Sequence, residues 1–255
     1  MVGRVILGDL AADVSGRDDD RPPLVLLHGL TYERGQWAPL VERLAGRRVV
    51  ALDLPGHGES PRGSYAFDDV TDAIHSAVSA AGLTRPVLIG HSIGGVLATA
   101  YAARYPARAV LNLDQPLLAG PFGDLLRARS AELHGPGYLG VWEDLRGGMG
   151  INELPEDARA LLRSTPRQDL FLGYWHEILA LDPAESDARR TRELVAIQAA
   201  GTGYHQVSRA ELPAPYRDWL RSALPEVEFT VLPGSGHFPH LSRPDAVAAI
   251  VSNMD

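Results

Sequence analysis

Residues 87–95 read Val87-Leu88-Ile89-Gly90-His91-Ser92-Ile93-Gly94-Gly95. A short apolar run enters this stretch and a helix-like run, 93–105, leaves it, so the segment reads as a buried strand, a sharp turn and a helix. A serine on such a turn projects above the sheet edge. Glycines two residues before and two after are needed because a side chain at either place would clash. A serine hydroxyl is a weak nucleophile at neutral pH and needs a neighbouring base. The turn also puts the Ile93 backbone N–H at the helix start, where it faces negative charge developing beside Ser92. A strand–turn–helix with an incidental serine is the competing reading of these nine residues alone.

On either side the same rhythm continues. Apolar runs at 24–27, 48–52, 110–113, 194–199 and 227–232 read as buried parallel strands. Helical patterns at 36–44, 68–81, 216–223 and 244–252 separate them. The fold class expected is α/β, with a mostly parallel central sheet, helices on both faces and an antiparallel edge hairpin over 2–13. One region breaks the alternation. Residues 118–190 carry no strand pattern and read as three or four helices (123–133, 138–146, 156–163 and 168–181) punctuated by Gly and Pro. The expected organisation is a core of residues 1–117 and 191–255 with a helical cap at 118–190.

Two further segments converge on the serine. The run 24–27 leads into His28-Gly29-Leu30, and a strand ending in His-Gly offers a second backbone N–H, that of Leu30, to an oxyanion. His28 itself reads as structural. The run 227–232 leads into Pro233-Gly234-Ser235-Gly236-His237-Phe238-Pro239-His240. A histidine in a Gly-rich loop after the last strand reaches a serine at the strand tips, which makes His237 the candidate base and His240 a loop anchor.

With H-G-L at 28–30, D-L-P-G-H-G-E-S at 53–60, G-H-S-I-G-G at 90–95 and G-S-G-H-F-P-H at 234–240, the chain resembles the α/β-hydrolase superfamily over nearly its full length. The resemblance implies that 53–60 is a structural loop, with His57 and Ser60 as scaffold, and that a carboxylate orients His237. The usual place for that acid follows the strand read at 194–199. There the sequence is Ala200-Gly201-Thr202-Gly203-Tyr204-His205, with no carboxylate before Glu211, which lies too far on. Some members, including a group of haloalkane dehalogenases, carry the acid after the preceding strand. Here that position is Asp114. A helix-capping role for Asp114 is the alternative.

Ser92 stands where dehalogenases and epoxide hydrolases of this fold carry aspartate, which excludes their chemistry. The expected activity is carboxylic ester or lactone hydrolysis through an acyl-enzyme. A carbon–carbon bond hydrolase, a cofactor-free perhydrolase or haloperoxidase, and a non-catalytic ligand receptor are the alternatives. Gln115, Tyr138, Trp142, Phe171, Trp175 and His176 are the candidate substrate contacts: Gln115 sits beside Asp114 at the pocket mouth, and for each of the other five a place in the cap's own core is the competing reading.

The bulk composition narrows the partners. The 255 residues carry a formal charge of -8, which disfavours nucleic acid and anionic membranes. The absence of cysteine excludes disulfides, thiolate metal sites and a thiol nucleophile. No cluster has metal-ligand spacing and no dinucleotide fingerprint follows a strand, so neither metal nor cofactor is expected. The first residues lack the pattern of a secretory signal and no apolar run is long enough to span a bilayer. The expectation is a cytoplasmic enzyme, a monomer or homodimer, acting on a small carbonyl substrate.

Overall fold

Apolar β-rich runs that alternate with amphipathic helices bury both faces of a sheet, and this chain follows that rule. The computed structural model describes residues 3–44 and 46–254. Its eight strands are β1 (Gly3–Leu7), β2 (Leu10–Ser15), β3 (Leu24–Leu27), β4 (Val49–Leu52), β5 (Val87–His91), β6 (Ala109–Leu113), β7 (Gly203–Ser208) and β8 (Glu228–Val231). They form one sheet in the order β1-β2-β4-β3-β5-β6-β7-β8. The hairpin β1–β2 and its pairing to β4 are antiparallel, and every pairing from β4 to β8 is parallel. The first residue of the hairpin expected at 2–13 lies outside the described residues.

The helices are α1 (Ala38–Arg43), α2 (Phe67–Ala80), α3 (Ile93–Arg104), α4 (Gly120–Ala128), α5 (Ser130–His134), α6 (Tyr138–Gly147), α7 (Glu156–Ala160), α8 (Gln168–Tyr174), α9 (His176–Ala180), α10 (Pro183–Ala199), α11 (Ala214–Ala223), α12 (Pro239–Ser242) and α13 (Pro244–Ser252). Successive strand residues point to opposite faces, and two apolar layers result. Val87 and Ile89 pack with Trp37, Leu40, Val247 and Val251 on one side. Leu88, Val25 and Val110 pack with Ile74, Leu97, Leu194 and Ile197 on the other. Among the described residues no helix is long and apolar enough to cross a membrane.

Between β6 and β7 the described chain holds helices α4 to α10 and no strand. Their last member overturns one expectation. Residues 194–199, read as a strand, are the end of α10. This helix starts at Pro183 behind Asp182, whose side chain accepts from the Ala184 N–H. Ser186, Arg190, Leu194 and Ile197 are its buried residues, a helical spacing, while Val195 is exposed. The strand is instead Gly203–Ser208, and all but its first residue are buried. Tyr204, His205 and Gln206 hide it in the sequence because they look like loop residues. Most of their polar atoms find partners in the folded chain, Tyr204 Oη in Thr99 and Asn112, His205 Nε2 in Thr230, and Gln206 Nε2 in the Val207 carbonyl, while Gln206 Oε1 has none among the described residues. The expected core–cap boundary at 190 falls inside α10, which packs on α3 and α11.

The turn between β5 and α3 is tightly packed. Ser92 has φ 53 and ψ -128, a conformation that costs on the order of 1–3 kcal/mol for a residue with a side chain. A Cβ added at Gly90 would lie 2.1 Å from the Gly94 carbonyl oxygen, and one at Gly94 would lie 2.2 Å from the Leu27 carbonyl oxygen. Both obstacles are backbone, so neither can swing aside. Gly94→Ala should therefore cost stability of about 3 kcal/mol or prevent folding. Chemical denaturation of the variant beside the parent measures this, and an unchanged midpoint would contradict the packing.

Candidate active site

The parallel strands β3, β5, β6 and β7 all end at one edge of the sheet, where the loops after them meet. Open α/β sheets bind ligands at such an edge. A cavity of about 520 Å³ opens there, and its wall includes Leu30, Ser92, Ile93, Asp114, Gln115 and His237. Residues that follow β3, β5, β6 and β8 thus share one wall, and the fold alone brings them together.

His237 Nδ1 lies 2.8 Å from Asp114 Oδ2. A carboxylate accepts, so Nδ1 carries the proton and Nε2 is left as an acceptor on the cavity side. Asp114 directly follows β6 with φ 54, a strained value for a residue with a Cβ, and its own N–H donates to the Val207 carbonyl at 2.9 Å. Its second oxygen accepts the Arg209 N–H at 3.0 Å, and the Arg209 guanidinium lies 3.7 Å from Oδ2. Both carboxylate oxygens are therefore engaged and the side chain is fixed. The loop that follows the true strand β7 begins at Arg209, not at Ala200. Glu211, set aside as distant, is in the cavity wall, but its carboxylate pairs with Arg217 at 2.7 Å. Tyr204 and His205, read as the usual acid positions, lie inside β7.

The Leu30 side of the site is held by two histidines that are not in the cavity wall. His28 Nδ1 faces the Gly29 carbonyl at 2.8 Å while its Nε2 accepts the Leu54 N–H at 3.0 Å. His57 Nδ1 faces the Pro55 carbonyl at 3.0 Å while its Nε2 accepts the Thr31 N–H at 3.0 Å. Each is a neutral imidazole with its proton on Nδ1, pinning the loop that follows β3 to the loop that follows β4. Burial pulls His28 down to about 4 and His57 to about 3. Ser60 is equally structural: its hydroxyl donates to the Asp53 carbonyl and accepts from the Ala11 N–H. Asp53 and Arg34 form a buried ion pair beneath the same loop.

Of the substrate contacts expected from the sequence, Gln115, Trp142 and Trp175 line the cavity. Three others do not. Phe171 is fully buried one layer behind, stacked on Trp175 at 5.1 Å and packed on Trp142 at 5.4 Å. Tyr138 packs against Phe171 from outside, and His176 is exposed on α9. Helical periodicity explains the error, because neighbouring aromatics on a helix divide between the cavity and the helix's own packing. Tyr32, Phe67, Phe122, Met149 and Arg190 also line the cavity and were not singled out. Tyr32, two residues beyond Leu30, was the one most open to detection. Its phenol is pushed by burial to about 12 and stays a neutral donor. Arg190 stacks over Phe67 at 5.5 Å and pairs with Glu177 and Glu193 at 3.0 Å each, so this charged wall is compensated within itself. Among the described residues no group of His, Asp or Glu is placed to hold a metal ion.

A family model described as the alpha/beta hydrolase family matches residues 24–250. The chain belongs to the α/β-hydrolase family. It is 35% identical over 252 residues to a 2-succinyl-6-hydroxy-2,4-cyclohexadiene-1-carboxylate synthase of Serratia proteamaculans (strain 568), a match that covers 92% of this chain and 93% of that one. It is 34% identical over 131 residues to a (lyso)-N-acylphosphatidylethanolamine lipase of Homo sapiens, covering 48% of this chain and 37% of the lipase. This chain thus spans little more than a third of that relative. A solved structure of a protein that recognises and ring-cleaves the Pseudomonas quinolone signal superposes with a TM-score of 0.79 at 18% identity, covering 99% of this chain and 98% of that one, and so shares the fold.

The buried neutral histidines make stability depend on pH. Burial lowers His28, His57, His240 (to about 3) and His91 in the folded chain, while the unfolded chain protonates near 6.5. Between those values the unfolded state binds more protons, so stability is full above 6.5 and is lost as pH falls below it. Unfolding near pH 5 should take up on the order of three to four protons from these groups. Denaturation midpoints measured from pH 7.5 to 5 check this, and a flat profile would contradict it.

Proposed function

We propose that this chain is a serine hydrolase that cleaves a small carboxylic ester or lactone through an acyl-enzyme on Ser92, with His237 as general base and Asp114 as the acid that orients it. The observation that carries the reading is the 2.8 Å contact between His237 Nδ1 and Asp114 on the wall that also holds Ser92. With Nδ1–H donated to Asp114, His237 Nε2 takes the Ser92 proton as Oγ attacks the substrate carbonyl. The oxyanion formed accepts from the Leu30 and Ile93 N–H groups. His237, now an imidazolium facing Asp114, returns its proton to the departing alkoxide. Water then enters by the same route in reverse roles and frees the acid. No step in this cycle calls for a metal or a cofactor. The helical segment 118–190 acts as a cap, and Phe122, Trp142 and Trp175 favour an apolar acyl or alcohol group.

A second reading has one observation behind it. The Serratia relative, matched over nearly its whole length, is named a synthase of a cyclohexadiene carboxylate and not an esterase. The same serine and base would then process a carbon acid or a carbon–carbon bond. Parallel assays of aryl esters, lactones and a vinylogous diketone separate the two readings.

Two variants test the roles directly. Ser92→Ala should bind substrate yet retain only the contribution of the oxyanion donors, about 10³–10⁴ over water. A fluorophosphonate should label Ser92 in the parent, and a label elsewhere or none would refute the nucleophile. Asp114→Asn should fold normally but lose on the order of 10⁴ in kcat, because an amide that donates to Nδ1 reverses the tautomer. Unchanged turnover would remove Asp114 from the site.

A further inference from the structure

His91, the residue between Gly90 and the serine, is fully buried, so its ring is not a substrate contact. Strand alternation sends it to the same face as Val87 and Ile89, the face covered by α1 and α13. There its Nε2 lies 2.8 Å from the main-chain carbonyl oxygen of His237. A carbonyl only accepts, so Nε2 carries the proton and the bond fixes the tautomer. Nδ1 is then a bare lone pair with no hydrogen-bond partner among the described residues. It faces Gly29, where an added Cβ would come within 2.9 Å of it. The ring also lies 4.7 Å from the ring of His237, 4.7 Å from that of His240 and 5.0 Å from that of Phe238. One imidazole therefore touches the nucleophile turn, the oxyanion turn and the histidine loop together.

The His237 main chain is gripped from a second direction. Its N–H donates to the Met149 carbonyl at 2.9 Å. With the carbonyl bound by His91 and the N–H bound by Met149, His237 is fixed at both ends of its own backbone. That fixes the direction of its Cα–Cβ bond and hence where Nε2 points. Gly-rich loops have little intrinsic stiffness, and Gly234 and Gly236 flank Ser235, whose carbonyl is held by the Ser242 hydroxyl at 2.7 Å, so His237 needs restraints of its own.

We propose that His91 is a positioning residue for the general base: its Nε2–H bond to the His237 carbonyl holds the histidine loop in register with Ser92. This rests on the hydrolase reading above. It adds a role for the side chain that precedes the nucleophile, which acts through His237 and never on the substrate.

The test replaces His91 with Gln, Asn and Phe. Glutamine places an amide N–H near the position of Nε2, asparagine is too short to reach the carbonyl, and phenylalanine keeps a ring without the donor. On an aryl ester, His91→Phe and His91→Asn should lose on the order of 10²-fold in kcat with KM within about threefold, the size expected of a 1 Å misplacement. His91→Gln should recover most of the loss. The downfield proton resonance of His237 Nδ1–H against Asp114 gives a readout that needs no turnover. It should be sharp in the parent and in His91→Gln, and broadened or lost in His91→Asn. Should His91→Phe fail to fold, the Gln–Asn pair carries the comparison. Equal kcat and equal resonances in folded Gln and Asn variants would overturn the proposal, as would a loss confined to KM. A parent enzyme that shows the resonance and its dependence on His91, yet neither turns over esters nor labels at Ser92, would refute the hydrolase reading and leave the positioning role standing.

Discussion

Everything at this site depends on a contact between backbones that only hydrogen atoms on Cα permit. At the turn after β5 the chain folds back so tightly that the Gly94 carbonyl occupies the space of a side chain at Gly90, and the Leu27 carbonyl that of one at Gly94. This closeness lets α3 begin directly above the strand edge, with Ser92 as its N-cap residue. It also brings the end of β3, and with it Leu30, beside the helix start. Ser92 and the Leu30 and Ile93 N–H groups thus take their places from one packing constraint. The strain at Ser92 is sustained by the buried strands β3 and β6 on either side, which leave the turn no room to relax.

A second constraint is electrostatic. The loops around the serine have few apolar side chains to hold them, so buried polar groups do so instead. His28 and His57 each bridge one backbone N–H and one backbone carbonyl, and Asp53 accepts from the Arg34 and Glu59 N–H groups at 2.8 and 2.9 Å. Such groups stabilise only while fully partnered, and a lost partner costs more than a lost apolar contact. The arrangement gives rigid loops at the price of sensitivity to acid, because an imidazole that accepts a backbone N–H at Nε2 has no place for a second proton.

The fold was legible wherever burial was two-sided. The runs at 24–27, 48–52, 87–89 and 110–113 are apolar because β3 to β6 are covered on both faces, and the sequence places them to within a residue or two. The motif residues were legible for a related reason: glycines in a forced backbone geometry leave a fixed pattern. The β7 strand was not, because Tyr204, His205 and Gln206 look like loop residues, and the partners that let Tyr204 and His205 be buried exist only in the folded chain. Helix α10 was misread over its last turns because Leu194-Val195-Ala196-Ile197 is apolar in one dimension, although only Leu194 and Ile197 are buried. Asp114 was reached as a candidate on a partly mistaken path. The loop searched for a competing carboxylate was the wrong one, whereas the geometry of Asp114 rests on β6, which was read correctly. Which cap aromatics face the cavity depends on helix rotation, and a sequence without a partner helix does not fix that.

The placement of Asp114 has a consequence for how the helices after β6 relate to the chemistry. Asp114 is the first residue after β6, and Arg209 is the first after β7. Their bond at 3.0 Å ties the loop that enters the helical segment to the loop that follows the neighbouring strand. Arg209 also donates to the Gly148 carbonyl at 3.0 Å, and Met149 next to it accepts from His237. On the opposite side Thr165 N–H donates to Thr31, in the loop after Leu30, and Arg167 donates to the Gly56 carbonyl. The excursion is therefore fastened to the His237 loop, to Arg209 beside Asp114, and to the loops after β3 and β4, by bonds that each end on a main-chain carbonyl. Apolar side chains of the lining such as Phe122 and Trp175 take no part in these bonds. A change in such a side chain reshapes the cavity without removing a fastening, so the apolar lining and the anchoring of the segment reside in different atoms.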